Sequence, residues 1–206
     1  MTANLPRRAV LTLLVATLPL AARAQMGGAA MPIQRMHEAL LQAMQQAKQL
    51  GFEGRAKLLA PAVERAFALP QILQTSVGSK WAALPAAQQA ELLDVFTRYT
   101  VASYAANFDG FSGERFEIKA DTRAVGADQV VQTRIVLTHG DPVRIDYQMR
   151  EVDGGWRAVD VLIDGSISRV AVQRSDFRSL LAGGDAGKLI ESLRAKTAAL
   201  AAGGKP

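Results

Sequence analysis

Apolar positions recur at helical spacing up to residue 107, switch to a period of two between 116 and 163, and return to helical spacing after 166. In the first block, Ile33, Met36, Leu40, Leu41, Met44, Ala47 and Leu50 predict a helix over 31–50 that stops at Gly51. A second helix follows from about 53 to 67, bent or split by Pro61. A short one covers 69–77 and ends at Gly78. Pro85 opens the strongest helix, which runs to about 107 and carries Leu92, Phe96, Tyr99, Ser103 and Ala106 on one face. The alternating block divides at Gly126-Ala127-Asp128, at His139-Gly140-Asp141-Pro142 and at Asp153-Gly154-Gly155. Turns this short force antiparallel neighbours, so the block predicts a four-stranded meander. Helices over 166–181 and from 186 to about 200 close the chain. The expected fold class is α+β: a four-stranded antiparallel sheet covered on its apolar face by N- and C-terminal helices.

The first 24 residues stand outside this scheme. Arg7 and Arg8 precede an apolar run over 9–22, and Ala22-Arg23-Ala24 has the form of a cleavage site. This predicts a secretory signal peptide cut before Gln25, leaving 25–206 as a single domain. The run is too short for a comfortable span, which disfavours an uncleaved anchor. The whole chain has 24 basic and 19 acidic residues; removing Arg7, Arg8 and Arg23 leaves 21 against 19, a net of +2. No basic cluster marks a nucleic-acid face. The chain has no cysteine, so disulfides, thiolate zinc sites and a lipoprotein anchor are excluded. His37 and His139 are far apart and read as exposed helix and turn residues, so no metal site is expected.

Residues 156–177, WRAVDVLIDGSISRVAVQRSDF, form the most distinctive stretch. It holds no nucleophile–base pair, no metal-ligand spacing and no phosphate loop, and the chain calls for no cofactor. Together with VGSKWAALPAAQQAELLDVFTRYTVASYAANF over 77–108, it resembles the MlaC-type periplasmic phospholipid-binding proteins, the toluene-tolerance auxiliary components of an ABC transport system. The likeness rests on Gly78, Trp81, Phe96, Tyr99 or Tyr104, Tyr147, Trp156, Asp160, Asp164 and Gly165, and covers roughly 33–198. Between Gly165 and Arg174 the chain is one residue longer than the commonest form, and in this it resembles the hopanoid-associated HpnM branch. The resemblance implies a non-enzymatic shuttle that holds a phospholipid or a hopanoid between helices and sheet. It implies as partners an inner-membrane ABC transporter complex and an outer-membrane lipoprotein complex.

Such a carrier must hide its cargo's tails. A tail of ~16 carbons costs on the order of 13 kcal/mol to expose to water. Wall candidates are therefore apolar: Leu92, Phe96 and Tyr99 on the long helix, and Val131, Ile135, Leu137, Val143, Ile145, Tyr147 and Met149 on the sheet. For each, solid core packing is the ordinary alternative. Trp81, Tyr104, Tyr147 and Trp156 suit a wall or mouth, with a ring for the tail and an N–H or O–H for the rim. Arg169, Arg174 and Arg178 form either a solvated face or a docking surface for an acidic partner or anionic head-group. Asp160 is expected to pair with Arg174. The same carboxylate in an apolar pocket, with Tyr147 as donor, is the minimal set for an isomerase- or hydrolase-type enzyme. A cavity-free periplasmic adaptor is the third reading.

Overall fold

The computed structural model describes residues 28–181 and 184–204. The expected signal peptide and its cleavage site lie outside them. Helix α1 (Ala30–Gln45) buries Ile33, Met36, Leu40 and Met44, the i, i+3, i+7, i+11 stripe of the sequence pattern, and Ala43 beside them. It stops at Gln46, five residues before the glycine expected to end it. Residue 46 opens one isolated turn, closed by the Leu50 N–H donating to the Gln46 carbonyl at 2.9 Å. Gly51, at φ 59 and ψ −172, then redirects the chain inside α2 (Ala47–Ala66). Gly51 is the non-helical position in α2, so Pro61 does not split it. α3 (Leu69–Val77) ends where Gly78 adopts φ 69, and a 3₁₀ helix (Gly78–Ala83) leads into α4 (Ala86–Asn107), entered from Pro85.

The meander is present, but each of its first two strands is cut in two. β1 (Arg115–Ile118) pairs with β4 (Thr133–Val136), and β2 (Arg123–Val125) pairs with β3 (Asp128–Val131). β3 and β4 share one register on the central strand β5 (Val143–Val152), with Val131 opposite Tyr147 and Arg134 opposite Arg144. At the cut, the buried Asp146 carboxylate accepts the Thr133 N–H at 3.2 Å, so a side chain replaces a rung of the backbone ladder. β6 (Gly155–Ile163) takes the other edge of β5.

The hairpins β5–β6 and β6–β7 (β7, Ile167–Ser168) turn at Asp153-Gly154 and Asp164-Gly165. All four of these residues have positive φ, the type I′ geometry that Asp-Gly favours. Because β7 consumes residues 167–168, α5 (Arg169–Arg178) starts later than its periodicity suggests. Ser168 caps it, accepting the Ala171 N–H at 2.9 Å. α6 (Gly187–Ala201) packs on α4, away from the sheet.

The core lies between the helices and the inner sheet face. Leu59, Val63, Leu73, Leu92, Phe96, Met149 and Ala158 are fully buried there, and Leu189 and Leu193 of α6 extend the same cluster behind α4. Where α2 ends, the Ala68 N–H donates to the Ala158 carbonyl at 2.9 Å and pins that end to β6. On the opposite sheet face, Arg144 pairs with Asp146 at 2.6 Å and Arg150 with Asp128 at 2.7 Å. The Arg150 guanidinium, and after it Gln148, which also donates to Asp128, hold the Asp128 carboxyl below the usual range.

Candidate functional site

A cavity of about 480 Å³ opens between α4, α5, the α2–α3 junction and the β5–β6 pair. Helix periodicity puts Phe96, Tyr99, Thr100, Ser103 and Tyr104 of α4 on one wall. Strand alternation puts Ile145 and Tyr147 of β5 beside Val161 and Ile163 of β6, with Tyr147 opposite Val161 and Ile145 opposite Ile163. Phe67, Leu69 and Ile72 close the inner end, and Val170 faces it from α5. Asn107, Phe108, Arg169 and Gln173 complete the lining.

The interior is aromatic. Phe67 lies 5.6 Å from Tyr104 and 6.2 Å from Tyr147 between ring centres, and Tyr104 stacks on Phe108 at 6.0 Å. Burial pushes both tyrosine phenols far up. Tyr104 is raised further by Tyr147 and drawn back in part by the Arg169 charge. Both phenols are therefore neutral O–H groups at any physiological pH, and neither has a hydrogen-bond partner among the described residues. The polar α4 groups differ: the Thr100 hydroxyl donates to the Phe96 carbonyl and the Ser103 hydroxyl to the Tyr99 carbonyl, each at 2.8 Å.

Asp160 is at the cavity wall, but its carboxylate is already engaged. It accepts the Val161 N–H at 2.7 Å, the Val170 N–H at 3.1 Å and the Ser168 hydroxyl. The expected Asp160–Arg174 pair does not form. Arg174 instead lies over Gly78, whose missing side chain leaves room for the guanidinium: a Cβ there would sit 3.3 Å from its Nε. A carboxylate holding three local donors tethers β6, β7 and α5 and is poorly placed to act as a base.

Of the residues singled out from sequence, Phe96, Tyr99, Tyr104, Ile145 and Tyr147 line the cavity, and so does Arg169. Leu92, Val131 and Met149 are packed solidly in the core beneath the helices. Ile135 and Leu137 are half-buried toward the other end of the sheet, and Val143 is 39 % exposed there. Trp81 is half-buried on the 3₁₀ segment. Trp156 lines a different groove, between α1, α2 and the β5–β6 turn, beside Leu58, Pro61, Arg35, Arg65 and Arg157. The three α5 arginines are exposed but do not act as one face: Arg169 turns to the cavity, Arg174 to Gly78, and Arg178 to neither.

Val161 and Ile163 were not legible from strand alternation, because a bulge opposite Gln148 and Met149 shifts the phase of β6 after Ala158 and turns them inward; Phe67, Leu69, Ile72 and Val170 join the wall only through the way α2, α3 and α5 meet β6. His37 is not exposed as its sequence setting suggested. It is 6 % exposed, stacked on Phe116 at 4.7 Å and 6.0 Å from Tyr147. Its Nδ1 has no partner among the described residues, and burial lowers its pKa to about 4.

Compared with known proteins, the chain matches the model of the MlaC protein family over residues 34–195. Its fold is similar to the crystal structure of the phospholipid-binding protein from Ralstonia solanacearum, solved in complex with a phospholipid. The TM-score is 0.73 at 20 % identity, covering 84 % of this chain and 99 % of that one. No curated protein matches the sequence at a significant level.

Proposed function

The chain belongs to the MlaC family, and on that premise we propose that it is a periplasmic carrier that holds a lipid by its tails and moves it between membranes. The cavity carries this reading. Its walls are apolar and aromatic, and it falls within the roughly 300–1,000 Å³ typical of small-molecule sites. Burying a ~16-carbon tail there recovers the order of 13 kcal/mol that exposure would cost, which is what a shuttle through water must supply. The fold neighbour's phospholipid supports a phospholipid as cargo, ahead of a hopanoid. Export through a signal peptide cut near Ala24/Gln25, one mature domain over 25–206, and work with an ABC transport system and an outer-membrane lipoprotein all belong to the same proposal.

A binding role is favoured over catalysis because the one carboxylate in the wall, Asp160, is spent on Ser168 and two backbone N–H groups. A cavity-free adaptor is disfavoured by the cavity itself. The test is organic extraction of the purified mature protein followed by lipid mass spectrometry, on the wild type and on Ile145→Trp. The wild type should release about one equivalent of lipid, and the indole should fill the cavity and lower retention severalfold without unfolding the chain. A wild type that carries no lipid and takes up none from vesicles would sink the carrier reading.

A further inference from the structure

The groove that holds Trp156 has a volume of about 650 Å³ and shares no lining residue with the cavity, so filling one leaves the other open. Part of its lining is apolar: Leu58 and Pro61 of α2 sit beside the half-buried Trp156 ring. The rest is cationic. Arg35 of α1, Arg65 of α2 and Arg157 of β6 converge there from positions far apart in sequence, and no Asp or Glu lines the groove. Elsewhere on the surface arginines find carboxylates, as Arg144 does in Asp146, Arg150 in Asp128 and Arg194 in Glu91. Arg35, Arg65 and Arg157 form no ion pair among the described residues. Arg157 stands across the ladder from Arg150, and of the two only Arg150 has an acid. Arg157 donates to the Glu64 carbonyl at 3.2 Å, which positions its guanidinium without neutralising it. Residues 1–27, 182–183 and 205–206 contain no aspartate or glutamate, so no acidic side chain of this chain is left to supply the missing charge. Like charges gathered around a recess raise the potential there and attract an anion.

We infer that this groove is a docking site for an acidic, extended segment of a partner protein, with an aliphatic side chain against Trp156 and carboxylates on the arginines. The chemistry favours a peptide over other anions. Guanidinium forks match planar carboxylates two bonds at a time. Three cations presented by three elements suit several carboxylates spaced along an extended chain, where alternate side chains lie on the same side. The Trp, Leu and Pro lining calls for an apolar side chain, which an inorganic anion lacks. A recess is also out of reach of a flat bilayer surface. The site goes beyond the carrier reading and does not depend on it.

The test uses the mature protein in a Trp81→Phe background, which leaves Trp156 as the one tryptophan. The probe is acetyl-Asp-Glu-Leu-Asp-Glu-amide. Its control, acetyl-Asn-Gln-Leu-Asn-Gln-amide, keeps the shape and loses the charge. Trp156 emission locates the binding, and titration calorimetry on the wild type measures it. The acidic peptide should shift the emission saturably and bind at least tenfold more tightly than its control. Arg35→Ala and Arg65→Ala should each weaken it roughly twofold to fivefold, the effect of one exposed ion pair. Reversing both charges, Arg35→Glu with Arg65→Glu, should weaken it at least tenfold, and added salt should weaken the wild-type complex. Because Arg35 and Arg65 are exposed and lie outside the cavity, these variants should melt and retain lipid as the wild type does.

Equal binding of the two peptides, or binding of neither, overturns the proposal and leaves the carrier reading untouched. So does an acidic peptide whose affinity survives the double charge reversal, because it then binds elsewhere. Phosphatidylglycerol vesicles that bind through Arg35 and Arg65 while the peptide does not would assign the surface to a membrane and overturn the peptide assignment.

Discussion

Replacing His37 with Phe should change how this protein responds to acid. His37 is packed between α1 and the sheet, 4.7 Å from Phe116, with an unpartnered Nδ1 and a pKa lowered to about 4 by burial. In the unfolded chain it would titrate near its ordinary 6.5. Between these values the unfolded state takes up a proton that the folded state refuses. Stability is therefore complete above the unfolded pKa and falls as pH drops toward the folded one. At about 1.4 kcal/mol per unit, the wild type should lose about 2 kcal/mol from pH 7 to pH 5, and about 3 kcal/mol by pH 4. Phe preserves the ring stack and removes both the proton site and the orphaned nitrogen. The variant should be at least as stable as the wild type at pH 7 and nearly flat down to pH 5. Depressed carboxylates such as Asp128 lose their pairing only lower, below the ordinary aspartate value of 3.8, so the two windows separate. Urea unfolding across this range measures both proteins. A wild type flat from pH 7 to pH 5, or a variant with the same slope, would refute the reasoning.

Two further changes test how the site is held together. Asp160→Ala removes the acceptor shared by Val161, Ser168 and Val170; it should cost roughly 2 kcal/mol in urea unfolding, and an unchanged midpoint would show that the tether contributes nothing. Gly78→Ala places a Cβ at φ 69 and 3.3 Å from the Arg174 guanidinium. It should cost about 1–2 kcal/mol, and Arg174→Ala should relieve the steric part but not the backbone part, so strict additivity in the double mutant would refute the contact.

Much of the fold was legible because its boundaries are set by local chemistry. Proline entering α4, positive-φ glycine ending α3 and Asp-Gly closing two hairpins act within a few residues, and these elements fall where the pattern places them. The misplacements share a different cause. The cut between β3 and β4 depends on the Asp146 carboxylate thirteen residues away from Thr133. α5 begins late because β7 finds a partner in β6. His37 is buried because β1 and β5 close over it. Arg174 turns to Gly78 rather than Asp160 because Asp160 is already satisfied by the start of α5.

The sequence by itself determined the layers: hydrophobic period assigns each segment to helix or strand and says which face turns inward. It also determined the family, through residues such as Gly78, Asp160 and the Asp164-Gly165 turn that set backbone geometry locally. Only the tertiary structure decided which inward residues are wall and which are core. Tyr147 and Met149 share one face of β5 and the same alternation, yet Tyr147 borders a cavity and Met149 is packed solid. Period reports direction, not the distance to what lies opposite, and that distance is set by how α1 and α2 settle on one part of the sheet while α4 stands off from another.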